Sequence, residues 1–376
     1  MHRLILIPVL VLFAIVNQAQ TPAEYYTKGN DLKKDKKITE AVAAYKEAVR
    51  LDPAYKEAWY ELGWCYNDLK QYSNALSSLS KARSLQFSLP KMYFELGYAF
   101  EKLEKTDSAI ANYNKCLSIK PDYSGAFLQL GYIAYNKDEN AAALQYFKQY
   151  ELYAPAPSQS YLYWYRKGFV CNALKNFEDA KIALNKSLAL KQDYMNTYFE
   201  LGFAHSRLKQ NDEAIAQYKK GIELDPRNHI GYNGIAEVYR DNIKDREEAM
   251  NWYRKTLAIN PNERKANFGV GYCLNSAENY SEAVGYLKKA IEQESTYTAA
   301  YVELGYANYR LSNNSLALEN LKKALELSPQ NENARYYAGL VYISQGNKDA
   351  AQKMATELRN MNSSNASSLQ EKVNKM

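Results

Sequence analysis

Residues 59–66 read WYELGWCY, residues 93–100 YFELGYAF, residues 198–206 YFELGFAHS and residues 301–309 YVELGYANY. Each phrase sets one small residue among large ones, and the same frame runs along nearly the whole chain. The small residue is Gly29, Gly63, Gly97, Gly131, Gly168, Gly202, Ala236, Gly271, Gly305 and Gly339, at spacings of 34, 34, 34, 37, 34, 34, 35, 34 and 34. Twelve residues after nearly every one stands an alanine: Ala41, Ala75, Ala109, Ala143, Ala180, Ala214, Ala283, Ala317 and Ala351. The seventh unit carries Ala249 at thirteen, which predicts one extra residue in its inter-helix loop. A period of this length marks an array that grows by stacking and has no single core.

The residue types have a steric reason. Two antiparallel helices approach closely only where side chains are small, and the glycine and the alanine are placed where the A and B helices of a unit touch. Large residues fill the space around them. Trp59, Leu62 and Tyr66 share one face of helix A in the second unit, and Ala75, Leu79 and Ala82 share one face of helix B. Proline often ends the unit, at Pro53, Pro121, Pro155, Pro226, Pro261 and Pro329, because it cannot continue a helix interior.

This frame resembles the tetratricopeptide repeat family over roughly residues 22–360, as ten units in register. The resemblance implies an all-α fold, a right-handed α-solenoid of stacked helix pairs. It says little about function, since one fold serves many. It also implies that the A helices line a concave face where ligands lie. With the glycine as position 8, position 5 holds Tyr26, Tyr60, Phe94, Leu128, Tyr165, Phe199, Phe268, Val302 and Tyr336. Position 9 holds Trp64, Tyr98, Tyr132, Phe169, Phe203, Tyr272 and Tyr306. Residues four apart lie on the same side of a helix, so these rings predict an aromatic stripe along the groove. Ordinary packing between units is the competing reading of the same rings. Polar partners expected beside them are Lys102, Asn136, Asn172, Arg207, Arg240, Asp241, Asn275 and Arg310. The family's carboxylate clamp for chaperone C-termini is not expected: Asn30 is in place, but Tyr26 replaces the lysine and Glu61 the next asparagine.

Two irregularities divide the array. The unit between Gly131 and Gly168 is three residues longer, and Pro155 and Pro157 impose extended backbone there. The expected organisation is a signal peptide at 1–19, one sub-array at 20–156, a second at 157–361 and a polar, serine-rich tail at 362–376 that either supplies a short cap or frays. The leader has Arg3 before an apolar run, Leu4 to Val16. That run is shorter than the ~20 residues a membrane helix needs and suits a secretory leader. The expectation is therefore an exported, periplasmic protein of a Gram-negative bacterium with no membrane span after cleavage; an uncleaved signal anchor is the alternative.

Composition narrows the function classes. The chain of 376 residues is 47% hydrophobic and 24% charged, as expected of a folded protein. Its net charge of +6 comes from interleaved signs, without the basic stripe that nucleic acid requires. The 35 tyrosines suit half-exposed surfaces and helix packing alike. Cys65, Cys116, Cys171 and Cys273 form no CxxC pair and read as small buried hydrophobes. After the leader only His205 and His229 remain, neither with a partner at metal-ligand spacing, and no nucleotide or hydrolase motif is present. The sequence thus predicts a non-enzymatic scaffold without cofactor or metal, binding a protein or peptide in the groove. The alternatives are a glycan ligand, since aromatic rings also stack on sugars, and a regulatory subunit of a separate enzyme.

Overall fold

The computed structural model describes residues 20–156 and 158–376. The leader reading, 1–19, and Pro157 lie outside the described residues. The structure falls into two compact units that divide between residues 157 and 158. No strand occurs among the described residues.

The first unit holds four helix pairs: α1 Pro22–Lys34 with α2 Ile38–Leu51, α3 Lys56–Asp68 with α4 Tyr72–Ser84, α5 Pro90–Lys102 with α6 Thr106–Ile119, and α7 Ser124–Asn136 with α8 Asn140–Tyr153. The second holds six: α9 Tyr161–Ala173 with α10 Phe177–Leu190, α11 Met195–Arg207 with α12 Asn211–Leu224, α13 His229–Glu237 with α14 Arg246–Ile259, α15 Arg264–Ser276 with α16 Tyr280–Gln293, α17 Thr298–Arg310 with α18 Asn314–Leu327, and α19 Glu332–Ser344 with α20 Lys348–Asn360. A last helix, α21 Asn365–Asn374, follows.

The glycine of each pair has a specific partner that the alanine rule did not reveal. A methyl built at Gly29, Gly63, Gly97, Gly131, Gly202, Gly271 or Gly305 would lie 2.5–2.9 Å from a side chain of helix B. That side chain is always sixteen residues on: Tyr45, Leu79, Tyr113, Phe147, Tyr218, Leu287 or Leu321. The alanine does the rest, because its backbone can then come close. The carbonyls of Ala180, Ala283 and Ala317 stand 3.3–3.4 Å from methyls built at Gly168, Gly271 and Gly305. Tyr45, Tyr113, Phe147 and Leu79 are fully buried.

The turns repeat as closely as the helices. Seven residues after the frame glycine the backbone is left-handed at Lys36, Lys70, Glu104, Asp138, Lys175, Lys209, Glu278, Ser312 and Gly346. The next N–H reaches back five residues, as from Gln71 to the Tyr66 carbonyl at 2.8 Å, which closes the end of helix A. Only the last pair uses glycine there, so the other turns carry steric strain. At the junctions, position 4 donates to a carbonyl six residues earlier. Trp59 Nε1 reaches Pro53 O at 3.0 Å, Trp164 Nε1 reaches Ser158 O at 2.8 Å and Tyr232 OH reaches Pro226 O at 3.1 Å. A backbone acceptor freed by the break between helices is thereby satisfied.

One expectation is corrected. The extra residue of the seventh pair is not in a loop. Helix α13 runs on into a π-helical turn, Val238–Ile243, which takes up the added residue inside the helix. The turn is held from two sides: Arg240 grips Asp241 through two 2.7 Å hydrogen bonds, and Asn242 Nδ2 donates to the Ser206 carbonyl at 2.9 Å. The polar tail takes the capping form of its two expected ones. Its Leu369 and Val373 are fully buried, and Leu369 packs on Gly339. The serines had concealed an apolar stripe at Ala366, Leu369 and Val373, three and four residues apart. Cys65, Cys116 and Cys273 are buried free thiols; burial pushes them up to about 12, 11 and 11, so they stay protonated and inert.

Candidate functional site

Helix A presents positions 5 and 9 on one side, yet the structure treats them differently. At position 5 several of the rings meet an aromatic at the following junction. Tyr60 lies 5.2 Å from Phe87, Phe94 5.2 Å from Tyr123, Tyr165 5.1 Å from Tyr194 and Phe268 5.1 Å from Tyr297. Tyr60, Phe199 and Val302 are only 5% exposed. Position 5 therefore belongs to the packing between helix pairs and contributes at most the floor of a groove. Tyr60 and Phe199 are thus closed by packing and not open groove rings, whereas Phe94, Tyr165 and Phe268 are half-buried like the rings at position 9.

Position 9 remains at the surface. Trp64, Tyr98, Tyr132, Phe169, Tyr272 and Tyr306 are half-buried, and Phe203 is 38% exposed. Several of these rings meet an aromatic that the sequence reading passed over, the first residue of the preceding helix B. Tyr98 lies edge-on to Tyr72 at 6.1 Å, Phe203 to Phe177 at 6.1 Å and Tyr306 to Tyr280 at 5.9 Å. A cation completes each group. Lys102 stands 5.0 Å over Tyr98, Arg207 6.0 Å over Phe177 and Arg310 4.5 Å over Tyr280. Arg310 also donates to Tyr306 OH at 2.8 Å.

The groove's expected polar partners are redistributed. Asn172 and Asn275 are not open to a ligand; each is 4% exposed and spent on the next helix A. Asn172 Nδ2 donates to the carbonyl of Glu200 at 3.0 Å and to its carboxylate at 2.8 Å. Asn275 does the same to Glu303 at 3.0 and 2.9 Å, and Asn67 to Glu95 at 3.0 and 2.8 Å. The recurring 28-residue separation of asparagine and glutamate was the signal available in the sequence. Burial raises the carboxyls of Glu95, Glu200 and Glu303 above the usual range, and the asparagine hydrogen bonds oppose that only in part. Arg240, expected in the groove, is consumed by Asp241 and lies 5.7–5.8 Å from the Tyr253 and Phe268 rings. Asn136 is exposed at the end of α7.

Two clefts open along these rings. In the first unit a cleft of about 290 Å³ is bounded by Trp64, Asn67, Lys70, Phe94, Glu95, Tyr98 and Gln129. In the second a cleft of about 450 Å³ is bounded by Phe169, Asn172, Lys175, Phe177, Phe199, Phe203, Arg207 and Gly234, with Glu237 and Lys265 at its far wall. Aromatic walls with a few cations can hold an apolar side chain and orient a polar neighbour. His205 lies outside these walls, bonded to Gln210 at 2.7 Å, and His229 pairs with Glu263 at 3.2 Å. Among the described residues no group of three or more His, Cys, Asp or Glu is arranged to hold a metal.

Models of the tetratricopeptide repeat match residues 26–88, 90–123, 161–194, 196–228, 231–263 and 312–373, together more than half of the chain. The chain belongs to the tetratricopeptide repeat family. Proteins of this family generally act as protein–protein interaction scaffolds, which supports protein binding here at that coarse level. Among curated relatives, the heat shock protein STI1 of Saccharomyces cerevisiae is 31% identical over 112 residues, 28% of this chain and 19% of that protein. The Hsp70-Hsp90 organizing protein of Triticum aestivum is 34% identical over 85 residues, 23% of this chain and 14% of that protein. The chain thus spans under a fifth of the length of these two relatives. Among solved structures, Cut9 with Hcn1 of the APC/C superposes with a TM-score of 0.55 at 15% identity, covering 94% of this chain and 76% of that one. The pilF protein of Pseudomonas aeruginosa gives 0.51 at 16% identity, covering 56% and 96%. At such identities the likeness shows the fold, the all-α repeat solenoid. No helix among the described residues is long and apolar enough to cross a membrane.

Proposed function

We propose that this protein is an exported, ten-unit, non-enzymatic scaffold of the cell envelope that holds a partner's peptide or helix against its position 9 rings. The observation that carries the reading is Phe203. A phenyl ring 38% exposed, in a cleft of about 450 Å³ and beside an exposed arginine, is apolar surface that its edge-on neighbour Phe177 leaves open. Tyr60 and Phe199 at position 5 strengthen the contrast, because they are only 5% exposed. The leader, with its single arginine and short apolar run, supports export.

The test is capture from envelope extracts with residues 20–376, beside a Trp64→Ala, Tyr98→Ala, Phe203→Ala variant. A protein retained by the first and released from the second, at unchanged helical content, supports the groove. A glycan array that gives signal where no protein is lost sinks it in favour of sugar binding. Loss of helical content in the variant would place these rings in the core.

A further inference from the structure

The two clefts are copies of one device, and the chain holds a third. Gly63, Gly168 and Gly271 are 105 and 103 residues apart, three helix pairs each time. At each, an asparagine bonds the glutamate 28 residues on. At each, an edge-on pair of rings follows with a cation above it: Tyr72, Tyr98 and Lys102; Phe177, Phe203 and Arg207; Tyr280, Tyr306 and Arg310. The proline ten residues before the frame glycine is missing before Gly97, Gly202 and Gly305, where these pairs meet, and also before Gly168, where Ser158 stands. A three-pair period is therefore laid over the single-pair one.

The copies differ in size at position 6 of the next helix A. It is Gln129 in the first, Gly234 in the second and Tyr337 in the third. Gln129 borders the cleft of about 290 Å³ and Gly234 the cleft of about 450 Å³. Tyr337 instead lies on Tyr306 with ring centroids 4.8 Å apart, filling the place the other two leave open. The charges differ as well. Lys102 is partly neutralised by Glu101 at 3.1 Å. Among the described residues Arg207 and Lys175 meet no carboxylate, although both border the larger cleft. Glu200 and Glu237 also line this cleft, but Asn172 holds the first and Asn233 and Lys265 hold the second, so the two cations without a carboxylate make the cleft complementary to an apolar side chain flanked by carboxylates.

We propose that the cleft at Phe203 is the primary site, that it takes an internal acidic peptide segment with one aromatic or large aliphatic residue, and that Tyr337 keeps the third copy shut. The aromatic residue enters between Phe169 and Phe203, and the flanking carboxylates meet Arg207 and Lys175. This rests on the groove reading above and adds the ligand's chemistry to it.

The probes are acetyl-Asp-Phe-Asp-amide and its uncharged counterpart acetyl-Asn-Phe-Asn-amide, titrated by NMR into residues 20–376. The acidic probe is expected to bind one site, about tenfold more tightly than the uncharged one, and Arg207→Gln is expected to erase that difference. Tyr337→Gln, which installs the side chain of the first copy, is expected to add a site that Arg310→Gln removes. Both arginines are exposed, so their loss leaves the fold intact. If Arg207→Gln binds both probes as the parent does, the carboxylate assignment is overturned and the apolar groove survives. If Tyr337→Gln adds no site, its covering role is overturned. If neither probe binds the parent but chitotetraose does, the peptide groove itself fails, and this inference with it.

Discussion

Leu369 lies against Gly339, in the space that a helix B side chain sixteen residues after the glycine fills in the other pairs. In the last pair that position is Ala355, buried but too small to reach. Helix α21 supplies the missing side chain from outside the pair. A stacked array needs a closed terminal face, and here closure is achieved by lending one leucine to an incomplete pair.

Leu369→Ala is therefore expected to cost about 2–5 kcal/mol, the range for truncating a buried leucine. Because each pair contacts only its neighbours, the loss should be local. Amide exchange is expected to accelerate in 332–374 and to stay unchanged in 196–310. Uniform acceleration along the second unit would show that the cap is not a separate element. Adding Ala355→Leu should return part of the protection by filling the cavity from within the pair.

Glu95 supplies a pH dependence with a definite sign. The residue is 7% exposed, and burial raises its carboxyl above the ordinary 4.5. A carboxyl raised on folding stabilises the protein fully below its unfolded value, and that contribution is lost as pH rises through the folded value. At neutral pH the ionised Glu95 is therefore a cost, offset by the Asn67 hydrogen bond. Glu95→Gln keeps an oxygen for Asn67 Nδ2 and removes the charge. It is expected to be more stable than the parent at pH 7.5, with the gap closing towards pH 4. Urea denaturation at both pH values checks this; a gap that widens on acidification would contradict it.

The left-handed turn residues give a third expectation. Lys36, Glu104 and Ser312 have φ of 61°, 59° and 60°, where a side chain is strained and glycine is not. Relief of about 1–2 kcal/mol each is reduced by glycine's greater chain entropy of about 0.5–1 kcal/mol. Glycine at all three should add roughly 1.5–3 kcal/mol, since distant sites are additive. Unchanged denaturation midpoints would mean that the turn strain is already relaxed by local adjustment.

Much of this molecule was legible before any coordinate. Gly63 and Ala75 announced a close helix crossing, and their recurrence announced a stack, because a steric demand that repeats leaves a period in the chain. The aromatic stripe was legible only as a list. Tyr60 and Trp64 sit four residues apart on one helix side, and local periodicity treats them alike. Phe87, from the next junction, covers Tyr60 and leaves Trp64 at the surface, a distinction made between pairs and absent from either helix alone.

The amino-acid sequence by itself determined the helix pairs, their register and the small-residue contacts that let them approach, since all of these follow from spacing along one chain segment. Tertiary structure decided which rings stay open, that Asn172 is spent on Glu200, that the seventh pair absorbs its extra residue as a π-helical turn, and that a serine-rich tail closes the last pair with Leu369. Each of those depends on what a neighbouring element places opposite a side chain, and burial is a property of such pairs of surfaces.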